Sequence, residues 1–151
     1  MNKITLTALI LSLLTLSCSM KKLPVTGGDY AGSDAAEIVV IRQRGGSKCP
    51  VYVRVDGEVV CSLPEWGNWS RFTLEPGLRE FEAFCAERGA KWEPKQFKIE
   101  ASVTHYFKVH HPLSDFVRPK MRISQITEVE ASNLTGQKSK YEYVPRRGER
   151  D

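Results

Sequence analysis

The dipeptide Asp56-Gly57 is the feature that most constrains the fold, because it joins two short segments in which apolar residues alternate. These segments are residues 51–55 and 58–61. Glycine readily takes the positive φ that a two-residue hairpin turn requires, so Asp-Gly between alternating segments predicts a β-hairpin. In this register we expect Val53 to face Val60 across the strand pair. The rest of the domain must then pack around an antiparallel pair of strands.

Further segments have the length and pattern of short strands, and turn residues separate them. They are residues 38–41, 69–74, 78–85, 97–109 and 121–126. The first is apolar throughout, which predicts a strand buried on both faces. In the fourth, every odd position is apolar or histidine, and we expect two strands there, broken near Ser102.

A short helix is expected after the last strand. Thr127 and Glu130 are spaced as in a capping box, in which the threonine hydroxyl accepts a hydrogen bond from the N–H three residues later. About two helical turns would follow and end before Gly136. Six to eight short strands and one helix near the C-terminus predict an all-β domain over residues 37–136. Its architecture would be a small antiparallel β-sandwich or an open barrel.

The first 17 residues are typical of an export signal. Lys3 gives the start a positive charge, and residues 4–16 are uncharged and mostly apolar. This apolar run is too short to cross a bilayer, which takes roughly 20 residues as a helix. It therefore predicts a secretory signal peptide over residues 1–17.

Cys18 follows this run, and residues 14–18 resemble the bacterial lipoprotein signal, in which leucine and small residues precede a lipidated cysteine. Ser17 fits that pattern, whereas Thr15 stands where the pattern prefers leucine. The resemblance implies a lipid on Cys18, and several acyl chains there would anchor the protein stably. The alternative is ordinary cleavage near Ser17 or Ser19 and a soluble exported product. Because serine follows the cysteine, the resemblance implies that the protein is located at the outer membrane of a Gram-negative bacterium.

Two polar segments flank the expected domain. Residues 18–36 contain Gly27-Gly28 and predict a flexible spacer, and residues 137–151 are charged and predict a loose tail. The chain has 22 Lys+Arg and 18 Asp+Glu, and loss of Lys3 with the leader leaves a net charge of about +3. This mild charge gives no reason to expect a nucleic-acid partner.

Three cysteines follow Cys18, namely Cys49, Cys61 and Cys85. If Cys18 carries the lipid, an odd number remains, which predicts one disulfide and one free or intermolecular thiol in an oxidising compartment. Without the lipid, all four could pair. The expected register directs Cys49 and Cys85 toward the core and Cys61 away from it, so the pair Cys49–Cys85 is favoured over Cys61–Cys85. Their spacing matches no zinc motif.

Residues 51–83 resemble a PEGA-type surface domain, in which a V-x-V-D-G turn precedes an L-x-P-G turn and an alternating strand. The matching residues run from Val53 to Gly57 and from Leu74 to Gly77. The wider span, about residues 37–136, is similar to a family of small bacterial lipoproteins whose domain has no assigned function. Residues 100–109 match a stretch of that family in which glycine stands at the position of Ser102, which is why we expect a break there. The resemblance implies a β-sandwich surface domain and brings no catalytic residues.

Three histidines, His105, His110 and His111, are candidates for a metal or catalytic site. Imidazoles at short spacing can bind Zn²⁺ or Cu²⁺. On a strand, however, His105 and His110 point to opposite faces. We therefore expect a core-lining His105, exposed His110 and His111, and neither a metal nor another cofactor.

Two groups of side chains are candidates for a partner surface. Trp66 and Trp69 flank a turn and could stack on a glycan or a partner protein, or could instead cap one end of the core. Arg118, Lys120 and Arg122 alternate and could meet lipid phosphates, or could form a solvated strand face.

The sequence as a whole predicts a non-catalytic envelope lipoprotein that acts as a binding or structural module. Its expected partners are the membrane, through a lipid anchor on Cys18, and another envelope protein. The alternative is a metal-binding or enzymatic envelope protein that uses His105, His110 and His111.

Overall fold

A computed structural model describes residues 23–45, 49–85, 94–110 and 121–136. These residues form eight strands and one helix: β1 (Ala36–Arg42), β2 (Val51–Val55), β3 (Glu58–Leu63), β4 (Trp69–Leu74), β5 (Gly77–Cys85), β6 (Lys95–Ile99), β7 (Thr104–His110), β8 (Arg122–Ile126) and α1 (Glu128–Gly136). None of the described helical residues make a segment long and apolar enough to cross a membrane.

Several predicted features lie outside the described residues. They are the leader, Cys18, the charged tail, His111, Arg118 and Lys120. Each of these stays a prediction.

The strands form two four-stranded sheets. The first sheet has the order β4-β1-β7-β8 and the second the order β3-β2-β5-β6. Neighbouring strands are antiparallel except β1 and β7, which run parallel. Buried apolar side chains from both sheets form one core. The predicted small all-β sandwich with a C-terminal helix is confirmed, and the parallel pair makes the first sheet a mixed one.

Three phenylalanines join the two sheets at the centre of the core. Phe81 of β5 and Phe107 of β7 stack with ring centroids 4.7 Å apart. Phe97 of β6 meets both rings edge-on, at 5.6 and 5.0 Å. Offset-stacked and edge-on pairs are the arrangements that aromatic rings prefer. This cluster therefore stabilises the packing of one sheet on the other.

Strand β1 lies inside its sheet and is buried on both faces, as its apolar sequence predicts. Ile38 and Val40 belong to the core between the sheets. Val39 and Ile41 face the other way and form a small outer cluster with Ala131 of α1. The helix therefore covers the outer face of β1. Its predicted capping box is confirmed in part, because the Glu130 N–H donates to the Thr127 hydroxyl at 3.2 Å.

The hairpin between β2 and β3 forms as predicted, but its register differs. Asp56 and Gly57 have φ values of 48° and 88°, as a primed turn requires. Val53 pairs with Cys61 rather than Val60, because the register shifts between Val53 and Arg54. The extra residue on β3 is a β-bulge, which reverses the alternation beyond it. Cys61 is consequently buried in the core, and the expectation that it faces away was wrong.

The predicted break in residues 97–109 is confirmed. Ser102 has a φ of 56°, a left-handed conformation that glycine adopts most readily. Its backbone N–H donates to the Asp34 carbonyl at 3.2 Å. At this point the chain passes from β6 in the second sheet to β7 in the first.

The chain before β1 is bonded to the second sheet at the edge strand β3. We call residues 23–30 the strap. The backbone N–H groups of Thr26 and Gly27 donate to the Val59 carbonyl at 2.9 and 3.2 Å. Further back, the N–H of Leu23 donates to the hydroxyl of Tyr52 at 3.3 Å.

The strap then crosses to β4, the edge strand of the first sheet. Thr73 donates its N–H to the Gly28 carbonyl at 3.0 Å and accepts a hydrogen bond from the Tyr30 N–H at 3.4 Å. The strap thus covers one edge strand of each sheet, and such edges otherwise invite pairing with other chains. The expectation that residues 18–36 form a free spacer is corrected, because the described part from residue 23 contacts both sheets.

Gly27 and Gly28 permit this crossing by their lack of a side chain. A β-carbon on Gly27 would lie 3.2 Å from a methyl carbon of Val60. Gly28 has a φ of 88°, and a β-carbon there would lie 3.0 Å from Phe72. The two glycines therefore allow the strap to pack closely against β3 and β4. They do not provide the free motion that their composition suggests.

Candidate functional site

The segment between β3 and β4 carries the most exposed aromatic side chain among the described residues. We call residues 64–68 the Trp66 loop. Three backbone hydrogen bonds hold it: Gly67 N–H to the Arg42 carbonyl at 2.9 Å, Arg42 N–H to the Asn68 carbonyl at 2.8 Å, and Asn68 N–H to the Glu65 carbonyl at 3.3 Å. Gly67 allows the reversal with a φ of 79°. The loop is thus fastened to the end of β1.

The side chain of Arg42 fastens the same loop from inside the sandwich. Arg42 follows Ile38 and Val40 on the inward face of β1 and is only 2% exposed. Its Nη1 donates to the carbonyls of Leu63 and Pro64 at 2.7 and 2.9 Å. Because Leu63 belongs to the other sheet, one guanidinium ties both sheets together where the Trp66 loop begins.

Burial lowers the pKa of Arg42 to about 10. Water is a better solvent for the charged form than the protein interior is, and this cost is the cause of the shift. The side chain nevertheless remains protonated at neutral pH. The two carbonyl acceptors compensate for part of the lost hydration.

A disulfide links two segments of the second sheet close to the Trp66 loop. Cys49 and Cys85 are bonded, with Cα atoms 6.1 Å apart. Val51 pairs with Leu63 on one side and with Cys85 on the other, so the bridge lies at the strand ends that lead into the Trp66 loop. The favoured pairing Cys49–Cys85 is confirmed.

Cys61 remains a free thiol, buried in the core. Burial raises its pKa to about 12, and a hydrogen bond with Ser70 partly opposes this shift. A thiol in this state is protonated at neutral pH and is a poor nucleophile. Cys61 therefore serves packing rather than chemistry.

A cavity of about 340 Å³ lies beside the Trp66 loop, and Arg42, Pro64, Glu65 and Trp66 line it. Trp66 is 41% exposed, which is unusual for so large an aromatic side chain. The lining combines an indole and a proline ring with one carboxylate and one guanidinium. Its volume is at the lower end of the range of small-ligand sites, roughly 300–1,000 Å³.

Trp69 has a different environment from Trp66, although only two residues separate them. Its side chain packs on the outer cluster beneath α1, beside Val39 and Ile41. The Arg71 guanidinium lies 5.6 Å from the Trp69 ring centroid. Of the two tryptophans, Trp66 presents its indole to solvent, while Trp69 helps to attach the helix.

Of the three basic candidates, Arg122 lies among the described residues. Arg122 is exposed at the start of β8 and pairs with His110 across β7 and β8. Arg118 and Lys120 lie outside the described residues, so a common basic face remains a prediction.

His105 and His110 point to opposite sides of β7, as strand geometry predicts. His105 is buried; its Nε2 accepts a hydrogen bond from the Glu100 N–H at 3.0 Å, and its Nδ1 lies 3.1 Å from the side-chain amide of Gln125. Both ring nitrogens thus have protein partners. No cluster of three metal-ligating side chains occurs among the described residues.

A second cavity, of about 440 Å³, lies between the strap, the hairpin turn that joins β2 and β3, and the turn that joins β4 and β5. Arg79 is one of the residues that line it, and its guanidinium contacts the Asp56 carboxylate at 3.1 Å and the Glu75 carboxylate at 2.5 Å. Asp56 also accepts a hydrogen bond from the Glu80 N–H at 2.9 Å. These contacts stabilise the hairpin turn against β5, so the polar groups here serve the fold.

Sequence reasoning found Trp66 but missed Arg42. The signal was present, since Ile38, Val40 and Arg42 share one face of an alternating segment. The expected strand segment ends at residue 41, whereas β1 continues through Arg42.

No protein-family model and no curated protein sequence matches the chain. Among solved structures it is similar to the N-terminal domain of AlgF from P. aeruginosa, with 12% identity and a TM-score of 0.40. The alignment covers 65% of this chain and 100% of that domain. A likeness at this level assigns neither a family nor a function.

Proposed function

We propose that the protein is exported and tethered to the cell envelope through a lipid on Cys18, where its β-sandwich acts as a non-catalytic binding module. The observation that carries this proposal is the Cys49–Cys85 disulfide. Such bonds form and persist in oxidising compartments and are rare in a reducing cytosol. The disulfide thus agrees with the leader and with the lipoprotein-like residues 14–18.

The strap supports a specific form of tethering. Thr26, which is bonded to the second sheet, lies eight positions after Cys18. A chain of that length spans at most about 29 Å when fully extended. The domain would therefore stand close to the membrane, and the anchor would pull on both sheets through the strap rather than on β1 alone.

The environment of the reactive side chains supports binding rather than catalysis. Cys61 is buried and protonated at neutral pH, and both ring nitrogens of His105 contact protein groups. By contrast, Trp66 is exposed on a loop that backbone hydrogen bonds hold in place. Large exposed aromatic side chains in fixed positions are characteristic of binding sites.

The tether is tested by expressing the full chain and its Cys18→Ala variant in a Gram-negative host and separating membrane from soluble fractions. We expect the wild-type protein in the membrane fraction and the variant outside it. Mass spectrometry of the wild-type N-terminal peptide should show Cys18 as the first residue with acyl chains attached. Cys61→Ala is the matched control and should remain membrane-bound.

Equal membrane association of wild type and Cys18→Ala would contradict the anchor. An unmodified N-terminus near Ser17 or Ser19 would instead establish ordinary cleavage and a soluble exported protein.

A further inference from the structure

We propose that the cavity beside the Trp66 loop binds an uncharged sugar ring, with the Trp66 indole as the stacking platform. This inference deepens the proposed function and rests on it, because an exported domain meets the saccharides of the envelope. It names the ligand class for a cavity that Arg42, Pro64, Glu65 and Trp66 line.

Trp66 is exposed, but the loop that carries it is held in place. Its loop is fixed by backbone hydrogen bonds to Arg42 on β1 and by the Arg42 guanidinium bound to the carbonyls of Leu63 and Pro64. The disulfide between Cys49 and Cys85 closes the adjoining strand ends. A ligand that stacks on this indole therefore finds the loop already ordered, which lowers the entropic cost of binding.

The chemistry of the residues that line the cavity also suits a sugar. An indole face attracts the C–H face of a saccharide ring, while the Glu65 carboxylate can accept hydrogen bonds from hydroxyl groups. Arg42 supplies a compensating positive charge beside the same cavity. An indole with polar groups at its rim fits a ligand that is apolar on one face and hydroxylated at its edge.

Other ligand classes fit this lining less well. An acyl chain would require an apolar cavity, whereas two of the four described residues that line this one, Arg42 and Glu65, are charged. Glu65 and Arg42 carry opposite charges, so their combined field favours neither an anion such as phosphate nor a cation. An extended peptide docks on an unpaired strand edge, and the Trp66 loop is a turn between strands. A neutral sugar is the ligand class that fits the described lining, with its apolar face on the Trp66 indole and its hydroxyl groups toward Glu65.

The test uses the full mature protein in detergent micelles with ¹⁵N-labelled tryptophan. Maltotriose, cellotriose and chitotriose are titrated separately to about 10 mM, a range that reports dissociation constants in the millimolar range and below. We expect at least one of them to shift the indole N–H resonance of Trp66 to saturation and to leave that of Trp69 unchanged.

Trp66→Ala should weaken binding of the same saccharide by roughly tenfold or more, as replacement of a central aromatic contact does. Trp66→Phe, which keeps a smaller ring, should have an intermediate affinity. The matched control is Leu78→Ala, because Leu78 is 65% exposed and does not line the cavity. Its affinity should equal that of the wild type.

The proposal is overturned if none of the three saccharides shifts the Trp66 resonance, or if Trp66→Ala binds as tightly as the wild type. A Trp66 resonance that responds only to an envelope protein would overturn it in favour of a protein partner. The Cys18→Ala form separates this proposal from the tether. Saccharide binding by a form that no longer reaches the membrane would support the site, whatever becomes of the anchor in the wild type.

Discussion

The strap and the Trp66 loop each tie the two sheets together, but by different means. At the strap, four backbone hydrogen bonds join a crossing segment to β3 and to β4. At the Trp66 loop, one side chain from β1, that of Arg42, reaches two carbonyls at the end of β3 and just beyond it. Strand β3 takes part in both ties, through Val59 in the first and Leu63 in the second.

This difference determines how each tie responds to substitution. Backbone hydrogen bonds do not depend on side-chain identity, so the strap is sensitive only where its path requires glycine. The Arg42 tie depends on a single buried guanidinium and has no substitute of the same geometry. The strap should thus tolerate most substitutions. By contrast, replacement of Arg42 should release the Trp66 loop from β1.

Opening the disulfide should have the largest effect and should act mainly at the Trp66 loop. Cys49 and Cys85 are 36 residues apart, and closing a loop of this size stabilises a protein by about 3–4 kcal/mol in the chain-entropy treatment. We expect the Cys49→Ala/Cys85→Ala variant to lose about 3 kcal/mol in urea unfolding. Reduction of the wild type should reproduce this loss, and an unchanged unfolding midpoint after reduction would contradict the role of the bridge.

Arg42→Met should come next, with a loss of about 2 kcal/mol, because it removes two charge-assisted hydrogen bonds and leaves buried carbonyls unpaired. Methionine keeps most of the apolar volume of the side chain. Arg71→Met is the matched control. Arg71 is half-exposed and contacts the Glu37 carboxylate at 3.3 Å, so its loss should stay below about 0.5 kcal/mol. Equal losses for the two variants would show that the Arg42 tie does not hold the sheets.

Gly28→Ala should cost about 1–2 kcal/mol, since alanine is strained at positive φ and its β-carbon would press on Phe72. Gly57→Ala is a matched control with the same φ of 88° and open space around the position. Both variants should lose stability, but only Gly28→Ala should expose the strap to limited proteolysis. Cleavage of the strap at wild-type rates in Gly28→Ala would contradict the proposed crossing.

Cys61→Ala should have the smallest effect, about 1 kcal/mol, because it removes one small buried group. Cys61 lies on β3 between the two ties and belongs to neither. Since the folded thiol stays protonated up to a pKa of about 12, native wild-type protein should resist alkylation at pH 8 and react after unfolding. Rapid alkylation of the folded protein would show that β3 is not held at both ends.

Much of the fold was predictable because its signals are local. The Asp56-Gly57 turn, the turn-punctuated strands and the capping threonine at Thr127 each depend on a few neighbouring residues. The break at Ser102 required the resemblance to a family with glycine there, because alternation alone predicted one long strand. Burial of both faces of β1 followed from its composition.

The errors arose where distant parts of the chain decide the outcome. The bulge at Val60 shifts the register of β3 and turns Cys61 inward, and no local pattern marks it. Gly27 and Gly28 have the composition of a linker, although their small size serves contacts with β3 and β4. Arg42 lies beyond the expected strand segment 38–41, because a charged side chain at a core position is recognised only when its carbonyl partners on another sheet are known.

Amide hydrogen exchange on the intact mature protein tests whether the strap and Arg42 tie the sheets together independently of each other. In the wild type, the N–H groups of Thr26, Tyr30 and Gly67 should all be protected, since each donates to a backbone carbonyl. Arg42→Met should lower the protection of Gly67 and leave that of Thr26 and Tyr30 intact. If the wild-type strap amides exchange as fast as those of an unfolded peptide, the strap is not hydrogen-bonded to β3 and β4.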